Sequence, residues 1–311
     1  MSIKHNIPKG VLQFFYPHSR KRRDIENKIM DYLDSKDYKE IVTPTFIYED
    51  NVYQDLYEPL KSKLFKFVDR NSGKTIILRP DVTLQVALAV LLADIDLPAR
   101  FSYAHYIYRD EKQHANLKRE FKQIGAEIFG QNTIETDIEI ITLAIDVLNL
   151  VDIKDLVVRI SDSQIIDKLL DVYLSPQFFD KKKAILRLIN KKNLSFLKQM
   201  PLGEFGSIID ALFLGDINAL LKIEPIKQNV GNLIEISNKI NKDCEIFLDF
   251  FYYEYPTYHS GVSFDIFSNN AVLCTGGRYG NLMQLMGKYI PATGFAINLD
   301  KLMDFLYTKE I

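Results

Sequence analysis

The sequence is poor in cysteine and lacks the spacings by which cysteines form metal sites or disulfide frameworks. Its 311 residues contain only two, Cys244 and Cys274, and both lie in apolar runs. This pattern predicts buried free thiols in a reducing compartment. A disulfide-stabilised secreted domain is therefore not indicated, and we expect neither a metal ion nor another bound cofactor.

The sequence also lacks a strong charge of either sign and a long apolar run. The formal net charge is −2, so no overall basic bias argues for nucleic acid. The N-terminal stretch MSIKHNIPKG lacks the apolar core of a signal peptide. The longest apolar run, around VALAVLLADI, is broken by Asp94 and is too short to span a bilayer. We therefore expect a soluble cytoplasmic protein without a nucleic-acid or membrane partner.

The order of helix and strand patterns predicts the fold class. Neither GxGxxG nor GxxxxGK[ST] occurs, so a Rossmann or P-loop nucleotide site is unsupported. Helical spacing of apolar residues runs from His18 to about Leu33, strand patterns follow, and residues 163–242 carry repeated helical patterns before strands return. This order favours an α+β fold, with a mostly antiparallel sheet flanked by helices. We expect one domain over residues 1–311, with a helical insertion at about 163–242.

Turn residues and one proline refine this prediction. KEIVTPTFIYED predicts a strand interrupted by Pro44, and CEIFLDFFYY predicts another strand. LFKFVD and TIILRP predict a hairpin around Asn71-Ser72-Gly73, and GVSFDIFSNNAVLCTGG predicts a second around Asn269-Asn270. The basic run from Arg20 to Arg23 could bind phosphate, but such a run more often forms the solvated face of a helix.

The segment LRPDVT places an acid and a hydroxyl at the end of a predicted strand. Asp81 and Thr83 would suit an α-ammonium group, because the carboxylate supplies charge and the hydroxyl a hydrogen bond. Either residue could instead cap the helix TLQVALAVLLAD. Taken alone, the pattern favours the capping role.

The stretch YIYRDEKQHANLKREFKQIGAEIFG predicts the ends of two strands, at about 101–111 and 119–130, joined by a polar loop. Arg109 follows the first strand and could hold a nucleotide phosphate. Alternation on the second strand places Gln123 and Glu127 on related positions, where they could bind a polar ligand. An ionised Glu127 would accept a hydrogen bond from an imidazole or amine nitrogen. A solvent-facing strand surface accounts for the pattern equally well.

Two later segments add aromatic and glycine residues. TYHSGVSFDIF places Tyr258 and His259 before a glycine and a strand, where a lone histidine is more often structural than catalytic. TGGRYGNL has two glycines that permit close backbone approach, followed by Arg278 and Tyr279. No Ser/His/Asp order indicates a hydrolase, and no His/Cys/Asp cluster indicates a metal site.

Together these segments, in this order, resemble the catalytic core of class II aminoacyl-tRNA synthetases, specifically the histidyl branch. KEIVTPTF resembles motif 1, the dimer-forming segment, and YRDE…REFKQIGAEIFG resembles motif 2. GGRY…PATGFAINLDKL is similar to the segment that runs into motif 3, so the resemblance covers nearly the whole chain. It implies an amino-acid pocket, with Glu127 near an imidazole. His259 stands where the synthetases have a second tyrosine. The candidate histidine-binding residues are Asp81, Thr83, Arg109, Gln123, Glu127, Tyr258, His259 and Tyr279.

The resemblance also shows departures from an active enzyme. Arg109 matches the arginine that holds the α-phosphate of ATP, but Asn116 and Leu117 replace the glycine and arginine of the motif 2 loop. Lys301 replaces an arginine that stacks on adenine, and lysine cannot supply a planar stack. Glu254 replaces an activating arginine, and its charge would repel phosphate and carboxylate. Losing one charge-stabilising donor costs about 2.7–4 kcal/mol. We therefore expect no useful adenylate formation.

The variant Tyr-His-x-Gly at Tyr258 resembles instead the regulatory subunits of ATP phosphoribosyltransferase. This synthetase-like family lacks an anticodon-binding domain, and we expect none here. The resemblance implies a non-catalytic subunit that dimerises within a hetero-octamer and activates a short catalytic subunit. It also implies a part in feedback by histidine in the first step of histidine biosynthesis, whether histidine binds this pocket or a subunit interface. The alternative is a truncated synthetase-like ligase that adenylates histidine or another amino acid.

Overall fold

A computed structural model of the chain describes residues 7–51, 60–93, 95–111, 118–240, 242–253 and 259–307. Two β-sheets run through these residues, one of eight strands and one of three. The strands are β1 (Lys39–Glu40), β2 (Phe46–Tyr48), β3 (Lys66–Val68), β4 (Thr75–Leu78), β5 (Ala99–Tyr108), β6 (Glu120–Phe129), β7 (Val157–Asp162), β8 (Glu245–Leu248), β9 (Val262–Ser268), β10 (Ala271–Arg278) and β11 (Ala292–Asn298).

The large sheet has the strand order β1-β5-β6-β11-β10-β9-β7-β8, and the small one has the order β2-β4-β3. Only the two edge pairs of the large sheet, β1 with β5 and β7 with β8, are parallel among the described strands. The expected α+β fold with a mostly antiparallel sheet is therefore confirmed. The long hairpin of β5 and β6 keeps its register over ten residue pairs, and it carries two of the predicted site residues, Gln123 and Glu127.

Eleven α-helices accompany the sheets in the described part of the chain. They contribute to two hydrophobic cores, and six of them lie between β7 and β8 in the sequence, where they form a helical lobe. The helices are α1 (His18–Ser35), α2 (Thr83–Leu92), α3 (Ile134–Leu150), α4 (Ser163–Tyr173), α5 (Lys182–Asn190), α6 (Leu194–Lys198), α7 (Glu204–Leu214), α8 (Ile217–Leu220), α9 (Lys227–Lys239), α10 (Gly280–Leu285) and α11 (Leu299–Tyr307).

Alternation along β6 separates the two faces of the large sheet. Ile124, Ala126 and Ile128 belong to the core that the sheet forms with α1, α3 and α11. Phe129 belongs to a second core, which includes residues of α2, α10 and the small sheet. Because side chains alternate across a strand, the odd-numbered residues of β6 face away from the α1–α3–α11 layer. The site described below lies on that odd-numbered face.

The predicted turns follow the local chemistry of the sequence. The hairpin of β3 and β4 turns at residues 71–73, and that of β9 and β10 turns at Asn269 and Asn270. Both asparagines have positive φ, at 46° and 62°, which asparagine tolerates better than most residues. The segment interrupted by Pro44 forms β1 and β2, and these strands join different sheets. Proline cannot donate to a strand ladder, which explains the break.

Three local predictions need correction. The strand predicted for CEIFLDFFYY ends at Leu248, because the buried carboxylate of Asp249 accepts from the Phe251 amide at 3.2 Å and turns the chain. Cys274 is buried as predicted, but Cys244 is only partly buried. Arg22, within the basic run assigned to a solvated face, is itself buried, and its Nε lies 3.0 Å from Asp300 on α11. A sequence run of like charges does not reveal which member turns inward.

The lobe between β7 and β8 comprises α4 to α9 and lies within the segment expected as a helical insertion. Its apolar residues, from Ile165 on α4 to Ile236 on α9, continue the core beneath the large sheet. No helix in the described ranges has both the length and the apolar character needed to cross a membrane.

Candidate functional site

Paired strands bring the predicted residues of β6 beside small residues of three neighbouring strands. Glu127 lies opposite Gly294 of β11, Gly294 lies opposite Gly277 of β10, and Gly277 lies opposite Ser263 of β9. Directly opposed residues of antiparallel strands share a face of the sheet. The sheet therefore presents a shallow surface of glycine and serine beside Glu127. We call Glu127, Gly294 and Gly277 the pocket floor.

Glu127 is the centre of a buried hydrogen-bonded cluster. Its side chain is 1% exposed, and its Oε1 accepts from Thr83 Oγ1 at 2.8 Å. The Tyr279 hydroxyl donates to Oε2 at 2.7 Å, and the Tyr103 hydroxyl lies 3.3 Å from Oε1. Thr83 begins α2 and Tyr279 precedes α10, so both helices open toward this carboxyl. Three hydroxyls therefore orient one acid at the base of the site.

Burial dominates the protonation of this acid. Removal from water raises the pKa of Glu127 from its ordinary 4.5 to about 8, although the hydroxyls of Tyr279 and Thr83 oppose the rise. The nearby charge of Asp81 adds to the rise. A ligand that brings a positive charge or an N–H donor to Glu127 would favour the carboxylate instead. At neutral pH a pKa of about 8 favours the neutral carboxyl, and a basic ligand could accept its proton.

The glycines of the pocket floor make room for this side chain. A Cβ at Gly294 would lie 1.6 Å from Oε2 of Glu127, closer than any non-bonded contact allows. A Cβ at Gly277 would lie 2.8 Å from Cδ2 of His259, and Gly277 has a φ of +153°. Only glycine fits at both positions without moving a predicted site residue.

Asp81 and Arg109 lie together beside the cluster. Oδ1 of Asp81 accepts from the Leu84 amide at 3.3 Å, so Asp81 does contribute to the cap of α2 as predicted, while the Thr83 hydroxyl does not. Burial raises the pKa of Asp81, and the charges of Arg109 and His259 oppose that rise. Arg109 donates from Nε to the Pro80 carbonyl at 3.0 Å. Asp81 can therefore cap α2 through Oδ1 and still offer Oδ2 to an ammonium group.

A cleft of about 430 Å³ opens beside this pocket on the same face of the sheet. The guanidinium of Arg109 lies 5.5 Å from the centre of the Phe121 ring, and both residues line the cleft with Lys301. Gln123 also lines it and is 7% exposed. Its Oε1 is buried and has no hydrogen-bond partner within the described ranges. A buried acceptor without a partner is costly, so this oxygen is available to a donor on a ligand.

The structure thus gathers most of the predicted residues around one site. His259 lies near enough to Asp81 to lower the pKa of that carboxyl, and it packs beside Gly277 of the pocket floor. Tyr258 lies outside the described residues, as do Glu254, Asn116 and Leu117. Lys118, the last residue of the motif-2-like loop, lines the cleft and donates to the Asp300 carbonyl at 3.1 Å.

Sequence reasoning missed Tyr103 and gave no role to Arg278. Tyr103 lies on β5 opposite Gly125, and a Cβ at Gly125 would collide with its ring. The ten-residue hairpin register could have indicated it, because Tyr103 is two positions from the partner of Glu127. Arg278 supports the site from outside: its guanidinium binds both oxygens of Asp137 on α3, at 2.7 and 2.6 Å.

The polar groups of the pocket favour a small ligand with cationic or N–H donor groups. Asp81 and Glu127 supply two acids, and Gln123 supplies a neutral acceptor. In the described part of the chain, no three His, Cys, Asp or Glu side chains are arranged to hold a metal ion.

Comparisons with known proteins agree with this geometry. The family model described as histidyl-tRNA synthetase matches residues 11–302. The chain is 31% identical to the ATP phosphoribosyltransferase regulatory subunit of Caldanaerobacter subterraneus subsp. tengcongensis, over 96% of this chain and 82% of that protein. It is 29% identical to the histidine–tRNA ligase of Methanocaldococcus jannaschii, over 97% of this chain and 76% of that protein.

Solved structures show the same fold. A crystal structure from Bacillus halodurans C, described as an ATP phosphoribosyltransferase regulatory subunit/histidyl-tRNA synthetase, has a TM-score of 0.86 at 24% identity. It covers 98% of this chain and 84% of its own. Histidyl-tRNA synthetase from Nostoc sp. PCC 7120 has a TM-score of 0.79 at 17% identity, over 99% of this chain and 76% of its own. The expected synthetase-like fold is confirmed.

Proposed function

We propose a function from the premise that this chain belongs to the histidyl-tRNA synthetase family and, within it, to the ATP phosphoribosyltransferase regulatory subunits. The chain is a non-catalytic subunit that acts in histidine biosynthesis through a short catalytic subunit. It activates that partner and transmits feedback by histidine. We place it in the cytoplasm, which its two free cysteines favour.

The buried carboxyl of Glu127 is the observation that carries the histidine-binding part of this proposal. Its cluster with Thr83 and Tyr279 holds one acid at the depth of a small pocket, where an imidazole nitrogen can donate to it. Asp81 then meets the α-ammonium group, and Oε1 of Gln123 accepts a further hydrogen bond. Arg109, which lines the cleft, meets the carboxylate. Tyr258 and His259 complete the binding set.

The neighbouring cleft supports a regulatory role over ligation. Lys301 and Asp304 are the α11 residues that line the cleft, and a lysine ammonium cannot form the planar stack on adenine that an arginine provides. The Nε of Arg109 donates to the Pro80 carbonyl, and its terminal nitrogens could serve a phosphate or a carboxylate equally. The preference for an amino acid therefore rests on Asp81, Gln123 and Glu127 and on the lysine at position 301.

Exposed apolar residues support self-association. Val42 is 78% exposed and Phe46 is 57% exposed, and both lie in the segment that resembles motif 1. Tyr48 and Phe67 extend this apolar surface on the small sheet. We propose that this surface pairs two chains, and that the dimers assemble with catalytic subunits into a hetero-octamer.

Regulation follows from a shift between conformational states of this assembly. Histidine would bind one arrangement of the complex more tightly and so change turnover at a site on another chain. By linkage, the catalytic subunit and its ligands would change the affinity for histidine by the same factor. The pocket then serves as a sensor, and no bond of histidine is made or broken.

The test measures phosphoribosyl transfer by a short catalytic subunit with and without this chain, across a histidine titration. Activation by the chain and histidine-dependent inhibition of the complex are expected. Calorimetry of Glu127→Ala should show weaker histidine binding, because the variant removes the imidazole partner. Glu120→Ala, on the same strand but at its outer end, is the matched control and should bind as the wild type does. Unchanged affinity in Glu127→Ala would place histidine elsewhere.

The ligase alternative has its own readout. ATP–pyrophosphate exchange with histidine should stay at background for the purified chain. Robust exchange would overturn the regulatory proposal, as would failure to recover any phosphoribosyltransferase catalytic subunit in a pull-down.

A further inference from the structure

The two ends of the helical lobe meet at one buried side chain. Asn229 lies on α9, the last helix before β8, and is 6% exposed. Its Nδ2 donates to Oδ2 of Asp162 at 2.7 Å, and its Oδ1 accepts from Lys168 Nζ at 2.7 Å. Asp162 is the N-cap of α4, and its Oδ1 accepts from the Gln164 amide at 2.9 Å. Asn229 therefore fixes how the first turn of α4 is oriented.

That first turn holds one wall of the pocket. We call residues 259–261 the wall segment, since His259 touches the pocket floor. The Ser163 amide donates to the Gly261 carbonyl at 3.3 Å, and Gln164 Nε2 donates to the Ser260 carbonyl at 2.8 Å. The Ser163 hydroxyl also donates to the His259 carbonyl at 3.4 Å. Three donors at the start of the lobe thus bind the three carbonyls of the wall segment.

The opposite side of the wall segment is fixed to the sheet. The Ser260 amide donates to the Arg278 carbonyl at 2.7 Å. The Arg278 guanidinium is held in turn by Asp137 at the start of α3. The wall segment therefore lies between a rigid sheet on one side and the lobe on the other. A displacement of α4 and α9 would therefore be transmitted through these hydrogen bonds to His259.

We propose that Asn229 and Gln164 are positioning residues that couple the helical lobe to the pocket wall, so that histidine binding and the orientation of the lobe change together. This inference rests on the proposed function in that histidine is taken as the ligand. A side-chain amide suits this positioning role because its NH2 group donates hydrogen bonds while its oxygen accepts them. Asn229 uses both capacities, on Asp162 and Lys168, and so can hold a single orientation.

The principal variant is Gln164→Ala, because Gln164 is exposed and its loss leaves the core intact. Gln177→Ala is the matched control: Gln177 is also exposed, lies in the same lobe, and donates from Nε2 to a backbone carbonyl, that of Pro201, at 3.4 Å. Asn229→Ala is the second variant. Amide hydrogen exchange of the full chain is measured with and without histidine.

Without ligand, Gln164→Ala and Asn229→Ala should speed exchange at the Ser260 and Ser163 amides roughly two- to twelvefold, the range for one lost hydrogen bond. Gln177→Ala should match the wild type. Histidine affinity should fall by a similar factor in both variants but not in the control. Unchanged exchange at both amides in both variants would overturn the proposal.

Saturating histidine separates coupling from a merely structural role. In the wild type and in Gln177→Ala, histidine should slow exchange along α9 as well as in the wall segment. In Gln164→Ala, the wall segment should still gain protection at saturation while α9 should not. Protection of α9 that persists in Gln164→Ala refutes the coupling. If histidine fails to bind the wild type, the proposed function fails, and the ligand-free exchange rates still decide whether the lobe and the wall are linked.

Discussion

Replacing Glu127 with glutamine should change how the stability of the unliganded protein depends on pH. The side chain is buried, and its pKa is raised to about 8 in the folded protein, against an ordinary 4.5. Glutamine has nearly the same shape and no charge. The hydroxyls of Thr83, Tyr103 and Tyr279 can rotate to serve an amide, so the variant keeps hydrogen bonds in the pocket.

The sign and size follow from proton linkage. Between the two pKa values the folded chain keeps a proton on Glu127 that the unfolded chain has released. The folded state therefore binds more protons, and its stability falls as the pH rises through this window. At 1.36 kcal/mol per unit, the loss from Glu127 between pH 5 and pH 8 is about 3 kcal/mol. Glu127→Gln removes this loss, so the variant should gain stability relative to the wild type as pH rises.

Urea unfolding at a series of pH values measures this difference directly. The free energy of unfolding of Glu127→Gln minus that of the wild type should increase by about 3 kcal/mol from pH 5 to pH 8. The same variant should bind histidine more weakly, because it cannot become the carboxylate that an imidazole donor favours. A difference in stability that does not vary with pH would refute the raised pKa of Glu127 in the unliganded protein.

Glu139 supplies a control of opposite sign. On α3 its carboxylate accepts from Arg100 Nε at 2.8 Å, and this bond, with that from Tyr38, lowers its pKa. Its contribution to stability is present at neutral pH and is lost as the pH falls through the folded pKa. Glu139→Gln should therefore be destabilised at neutral pH, and its deficit should shrink in acid. If the stability of both variants relative to the wild type varied with pH in the same direction, urea unfolding would not be resolving the contribution of a single carboxyl.

Gly294→Ala should destabilise the chain by several kcal/mol or prevent folding and should abolish histidine binding, because its Cβ would overlap Glu127. Gly231→Ala within α9 meets no atom within 4 Å and should instead stabilise by about 0.5–1 kcal/mol in urea unfolding. Phe46→Lys should shift the mass measured by light scattering from dimer to monomer, while Phe196→Lys on the helical lobe should leave the dimer intact. If Phe46→Lys has the same mass as the wild type, the exposed apolar surface around Phe46 is not the dimer interface. Arg278→Gln removes the ion-pair partner of the buried Asp137 carboxylate and should lower the free energy of unfolding in urea by about 3 kcal/mol. A loss below about 1 kcal/mol would contradict a stabilising role for this ion pair.

The sequence predicted the fold where the signal was local. Periodicity identified α1, asparagine and glycine turns identified two hairpins, and Pro44 separated two strands. Alternation on β6 placed Gln123 and Glu127 on one face. These predictions succeed because one strand or turn determines the result without reference to distant residues.

Features set by distant contacts were not predictable in this way. Arg22 turns inward because Asp300, 278 positions away, meets it across two helices. Tyr103 joins the pocket because its strand pairs with β6 in one register, and a shift by one residue would turn it to the other face. The link from Asn229 to Asp162 likewise depends on how the lobe folds back on β7. Such contacts are properties of tertiary packing, which local patterns do not encode.

The pocket floor of glycines also limits how this protein can evolve. At Gly294 and Gly277 every other residue adds at least a Cβ, and no Cβ fits there while Glu127 and His259 keep their places. A lineage therefore cannot narrow the pocket by small steps at these positions. Its ligand preference can change through residues around the edge of the pocket. A change at the pocket floor would require the loss of Glu127 as well. Drift at these two positions should accordingly appear as abrupt loss of the binding site, with no graded series of intermediate specificities.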